Sequence, residues 1–152
     1  MTSKLLDVTV ETKYPYRYSC GEIGSYFFKR LRDEKRIFGR KCPKCGKVYI
    51  PPRPVCGPCW SPTREWVEVG PGGTLEAFTV VYFTFLDPMT GKTRPVPYGY
   101  GLVKLDGCDS RLQHFLSESD PKKLKVGLRL VPEFEEERKG RLSDIKWFKP
   151  AG

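Results

Sequence analysis

Apolar residues recur along this chain with two different periods. In residues 19–39 the spacing is helical. Ile23, Tyr26, Phe27 and Leu31 form one stripe with Phe28 beside it, and Lys29, Arg30, Arg32, Asp33, Glu34, Lys35 and Arg36 make up the polar remainder. Ser19 and Glu22 have the spacing of a capping box. The pattern predicts a helix after Ser19, divisible near Asp33, that continues to Ile37-Phe38 and stops at Gly39. From Thr74 onward the texture is that of strands, rich in β-branched and aromatic residues. Strands are expected over residues 75–85, 98–105, 110–116, 128–135 and 144–148, with a loop at 86–97, a turn at 106–109 and a solvated charged hairpin at 135–140. Residues 1–18, with the aromatic run Tyr14-Pro15-Tyr16-Arg17-Tyr18, are expected to be extended and to lie on a protein surface.

Five strands, the first long enough to serve both halves of a barrel, suggest an OB-fold; a β-sandwich fragment fits the same periodicity. Gly70-Pro71-Gly72-Gly73 marks a seam. The chain divides into an arm and aromatic helix (1–38), a cysteine-bearing segment (39–66) and the strand-rich remainder (67–152).

Between helix and strands lie Cys42-Pro-Lys-Cys45-Gly46 and Cys56-Gly-Pro-Cys59. Two Cys-x-x-Cys turns a short hairpin apart aim four thiolates at one point, the donor set of a closed structural Zn²⁺ site. Two disulfides would suit a secreted chain, but no export signal is visible at the N-terminus. A redox Cys-x-x-Cys normally comes once, at a helix start. With four protein ligands no position is left for water or substrate, so one structural zinc is expected. Gly46 allows the positive φ that turns backbone N–H groups toward the sulfurs, and Lys41, Lys44 and Lys47 offset the negative metal–thiolate charge. The remaining Cys20 and Cys108 sit in unlike contexts and take no assigned role, which fits a reducing cytoplasm.

The 152 residues contain 27 Lys and Arg against 18 Asp and Glu, a net charge of +9 that suits nucleic acid, a nucleotide-bearing cofactor such as coenzyme A, or an acidic protein surface. No apolar run approaches the length of a membrane span. Independent catalysis finds little support. His114 is the single histidine and reads as a solvent-facing or core-edge residue of a strand, and neither standard glycine-rich phosphate loop occurs. A single-stranded nucleic-acid (RNA) binder is the competing function, with Tyr82, Phe83 and Phe85 as a stacking platform. Against it, alternation along 80–85 puts aromatics on both strand faces, so one set should be core, and the basic residues are scattered.

Taken in order, the aromatic helix leading into Gly39-Arg40-Lys41-Cys42-Pro43-Lys44-Cys45-Gly46, then Pro51-Pro52-Arg53, Trp66, Gly73-Thr74, Phe78-Thr79-Val80, Pro95-Val96-Pro97-Tyr98, Val103-Lys104-Leu105-Asp106-Gly107 and Val126-Gly127 resemble a known family. These are the small zinc-ribbon and OB-fold proteins associated with acyl-CoA enzymes, found beside archaeal and bacterial thiolases; the likeness spans residues 20–148. It implies a mainly β chain with an N-terminal helix, a rubredoxin-like zinc ribbon and a five-stranded OB-fold barrel. It further implies a non-catalytic accessory subunit that stabilises a thiolase-like enzyme acting on an acyl-CoA, benzoylsuccinyl-CoA being one substrate met in the family. Tyr26, Phe27 and Leu31 would then dock on the partner, the alternative being that they fold back on the chain's own barrel. Lys92 and Arg94 would meet the phosphates of coenzyme A in the partner's channel, or belong to an ordinary exposed loop.

Overall fold

The computed structural model describes residues 8–11, 18–86 and 91–152; most of the aromatic arm and the Asp87-Pro88 and Thr90-Gly91 turn signals lie wholly or partly outside them. Helix α1 (Gly21–Glu34) starts without the expected capping box. Cys20 takes the N-cap position, and Ser19 Oγ accepts the Gly21 N–H at 3.1 Å. The helix runs unbroken past Asp33 and ends at Lys35, whose left-handed backbone (φ 55) sends its N–H back to the Arg30 carbonyl. Ile37 and Phe38 therefore leave the helix and open strand β1 (Ile37–Lys41). Gly39 is no helix stop but the middle of that strand. A Cβ there would stand 2.7 Å from Val48 Cγ1 and 2.9 Å from the Tyr49 carbonyl oxygen.

β1 pairs antiparallel with β2 (Val48–Tyr49) on one side and with β3 (Glu65–Val69) on the other. This three-stranded sheet reaches from Ile37 to Val69, overrunning both edges of the 39–66 span. The second sheet closes into a barrel of β4 (Gly73–Val81), β5 (Tyr98–Leu105), β6 (Leu112–Leu116), β7 (Arg129–Phe134) and β8 (Ile145–Pro150) in the order β4-β5-β6-β8-β7. Only β6 and β8 run parallel, and the arrangement is that of an OB-fold. β4 serves both halves as expected: Gly73 and Thr74 pair with β7, while the whole strand pairs with β5 across a bulge between Leu75 and Ala77.

One apolar core joins the parts. Phe27 and Leu31 of α1, Ile37, Val48 and Val69 of the small sheet and Ile50 just after β2 are buried with Leu75, Val103, Leu105, Leu112, Leu130, Ile145 and Phe148 of the barrel. A polar seam runs along the same junction. The Asp109 N–H donates to the Val48 carbonyl at 2.9 Å, and the Val48 N–H donates to Asp109 Oδ2 at 2.8 Å. Ser110 Oγ accepts the Ile50 N–H at 2.6 Å and donates to the Ile50 carbonyl at 2.8 Å. The β5–β6 turn thus extends the pairing of β2.

The 135–140 segment is more than a solvated hairpin. Asp144, buried beneath it, accepts the N–H groups of Lys139, Gly140 and Arg141, and Arg138 donates to the Arg32 carbonyl of α1 at 2.6 Å.

Candidate metal centre

The four cysteine sulfurs of Cys42, Cys45, Cys56 and Cys59 all lie within 4.8 Å of one another. Two equivalent turns bring them there. In the first, the Cys42 N–H donates to the Lys47 carbonyl and the Gly46 N–H returns to the Cys42 carbonyl. In the second, Cys56 and Ser61, then Trp60 and Cys56, repeat those bonds. The fifth residue of each turn takes the left-handed conformation: Gly46 at φ 74, and Trp60 at φ 51 despite its side chain.

The donor set fits zinc. Cys45 Sγ and Cys56 Sγ are 3.7 Å apart. That is far beyond a disulfide, and close to the edge of about 3.8 Å that a tetrahedron with Zn–S bonds of about 2.3 Å requires. Charge argues the same way. The Ser61 hydroxyl at 3.3 Å, with the backbone N–H groups of Cys45 and Lys44, lowers the Cys42 thiol to about 6. Hydrogen bonding to Cys45, together with burial, pushes the Cys59 thiol up to about 12. Four close thiols cannot all ionise by themselves, and a divalent cation removes that conflict. Tyr49 donates to Cys56 Sγ at 3.2 Å, which lowers the Cys56 thiol and raises the phenol to about 12. Cys42 and Cys56 are fully buried and Cys45 is exposed. Ser61 and Tyr49, which orient the sulfurs, carried no signal in the sequence, since neither falls inside the Cys-x-x-Cys units.

The remaining site residues are not gathered around the metal centre. Phe27 and Leu31 are 2% and 0% exposed and pack in the chain's own core, so neither side chain is on the surface. Tyr26 is half-buried and stacks on Trp66 with ring centroids 4.2 Å apart, between the guanidinium groups of Arg30 and Arg40. The helical stripe was legible, but its period does not say whether the covering surface is internal or foreign. Lys92 is exposed. Arg94 lies 3.6 Å over the Phe115 ring, at the edge of an open cavity lined also by Tyr100, His114, Lys146 and Trp147. His114 is not solvent-facing but sits at the edge of the core, lining that cavity. It is buried, with Nε2 3.3 Å from the Leu142 carbonyl oxygen, and burial holds its pKa below the usual histidine value.

Tyr82, Phe83 and Phe85 overturn the expectation that one set of aromatics is core. β4 ends at Val81, the alternation ends with it, and all three rings are exposed. Cys108 is buried against the Val48 carbonyl, whereas Cys20 is exposed beside Ser25. Among the described residues no helix is long and apolar enough to cross a membrane.

Residues 30–64 match the family model described as the rubredoxin-like zinc ribbon domain of ChsH2, and residues 66–135 match that of the ChsH2 C-terminal OB-fold domain. A DUF35 domain-containing scaffold protein of Methanocaldococcus jannaschii is 21% identical over 108 residues, covering 70% of this chain and 73% of its own. Two solved structures share the fold with a TM-score of 0.63 each. One is an Ltp2-ChsH2(DUF35) aldolase, 23% identical, over 90% of this chain and 100% of that one. The other is a DUF35-family protein of unknown function from Sulfolobus solfataricus, 22% identical, over 86% and 87%.

Proposed function

We propose, for a chain that belongs to the ChsH2 family of zinc-ribbon and OB-fold proteins, that it works as a non-catalytic accessory subunit of a thiolase-type acyl-CoA enzyme in the cytoplasm. The observation that carries this reading is the use made of its reactive side chains. Four cysteines converge on one zinc-binding site, and the single histidine is buried with its Nε2 against the Leu142 carbonyl oxygen. A relative named as a scaffold protein, and a fold shared with a structure named for both Ltp2 and ChsH2, support a role exercised on another protein. The acyl group, benzoylsuccinyl or another, stays open. Lys92 and Arg94 remain the candidates for contact with coenzyme A phosphates, since both lie on the barrel's exposed β4–β5 connection. Changing both to Ala is expected to raise the complex's KM for the CoA substrate, and an unchanged KM removes that contact.

The test is purification of the tagged, zinc-loaded chain from its native host. A stoichiometric acyl-CoA enzyme that persists in salt supports the reading. The second reading, a single-stranded nucleic-acid binder, is favoured by the exposure of Tyr82, Phe83 and Phe85 and by the +9 charge. RNA released by salt, with no protein partner, selects it.

A further inference from the structure

The run Tyr82, Phe83, Phe85 and Leu86 is 64%, 69%, 52% and 64% exposed, with Val96 exposed on the returning limb. These residues belong to the connection between β4 and β5, whose limbs are tied by the bridge between Leu86 and Thr93. An apolar cluster this contiguous marks an interaction surface more often than idle surface. The helical stripe is no alternative, because Phe27 and Leu31 are occupied in the core.

We propose that the described limbs of this connection, residues 82–86 and 91–97, are the docking element of this chain, and that they seat in an apolar cleft rimmed by carboxylates on the acyl-CoA enzyme. This deepens the accessory-subunit reading and rests on it. Charge selects the kind of cleft. Lys92 and Arg94 flank the apolar side chains and form no ion pair among the described residues, on a chain of net charge +9. Carboxylates at the rim of the cleft would steer the approach of this positive edge without displacing Lys92 and Arg94 from coenzyme A phosphates in the docked complex. The same charge disfavours a second copy of this chain, which would bring its own Lys92 and Arg94 to the contact.

The geometry favours protein over single-stranded nucleic acid. The exposed rings lie beyond the end of β4, outside the regular strand that would array them as a platform. On the barrel face where a strand of bases would run, the Phe115 ring is already covered by the Arg94 guanidinium at 3.6 Å. Tyr98 and Tyr100 meet that ring edge-on at 5.6 and 5.2 Å. Two of the five apolar side chains, Leu86 and Val96, are aliphatic, which suits an apolar cleft better than stacked bases.

The experiment uses the full zinc-loaded chain and the enzyme that co-purifies with it, identified by mass and by acyl-CoA-dependent activity. Affinity is measured for wild type, the double variant Phe83→Ser/Phe85→Ser, Lys92→Glu, and the exposed control Val126→Ser. The double variant is expected to weaken binding by about 100-fold or more, as loss of a central aromatic anchor does. Lys92→Glu should lower the association rate roughly tenfold and flatten its salt dependence. Val126→Ser should bind as wild type, and all variants should keep zinc and the wild-type melting temperature. A stable enzyme complex indifferent to the double variant overturns the docking element and leaves the accessory role standing. Absence of any enzyme, with RNA retained instead, overturns both. Self-association abolished by the double variant, with no enzyme bound, overturns the proposed occupant.

Discussion

Trp60 occupies, in the second metal-binding turn, the position Gly46 occupies in the first, and holds φ 51 with its side chain 85% exposed. A left-handed backbone costs a residue with a Cβ about 1–2 kcal/mol, and an indole with so little packing recovers little of it. Trp60→Gly is therefore expected to stabilise the zinc-loaded protein by up to about 1 kcal/mol, read as a rise in Tm. Gly39 is the opposite case. Its neighbours at 2.7 and 2.9 Å are a core valine and a carbonyl oxygen, so Gly39→Ala must displace β2. A loss of about 1–3 kcal/mol is expected in denaturant titration, with faster zinc release because Tyr49 beside the clash holds Cys56. His114, as the single histidine, gives one imidazole signal in a magnetic-resonance titration, and its midpoint should lie below 6.5. The folded state holds the ring neutral, so as pH falls past 6.5 the unfolded chain takes up the proton first. The stabilisation is complete above that pH and is lost as pH drops through the folded value. The Tm advantage of wild type over His114→Gln should accordingly narrow between pH 7.5 and 5.5.

Among the elements, β2 has the least structure of its own and the most borrowed support. It is two residues long, yet its backbone is held by β1 on one side and by Asp109 and Ser110 on the other. Asp109→Ala leaves the Val48 N–H without its carboxylate and should cost about 1–3 kcal/mol, with faster amide exchange confined at first to residues 48–50. Little of this was legible in the sequence, because partners 61 residues apart leave no local pattern. Local signals fared better. β5 has the expected bounds because its exposure alternates residue by residue, and the Cys-x-x-Cys units announced the metal centre through spacing alone. Ile37-Phe38 misled because a short apolar pair fits either period. Its assignment was decided by pairing with Val69 and Glu68, which lie outside any local window. The 80–85 run misled for a related reason: composition favoured a longer strand, but pairing with β5 stops at Val81 opposite Tyr98.

At the scale of the molecule, metal site and barrel are coupled through one core, although the sulfurs and the barrel interior form separate clusters. Stripping the zinc, or replacing Cys42 by Ser, should lower the thermal stability of the whole chain in a single transition. Loss of far-ultraviolet and near-ultraviolet circular dichroism would then coincide, because Val48, Ile50 and Val69 cannot leave the core without exposing Leu75 and Leu105. The shared core also orders events during synthesis. The two cysteine turns are complete by residue 61, so all four sulfur ligands are made before any barrel strand. Helix α1 and β2, by contrast, acquire their barrel neighbours only once Asp109 and the following strands have left the ribosome. At roughly 5–20 residues per second that is an interval of roughly 3–12 s after Val48 emerges, during which Phe27 and Leu31 lack their barrel neighbours in the nascent chain. A chaperone that binds nascent apolar helices would meet this protein in that interval, with all four sulfur ligands already made.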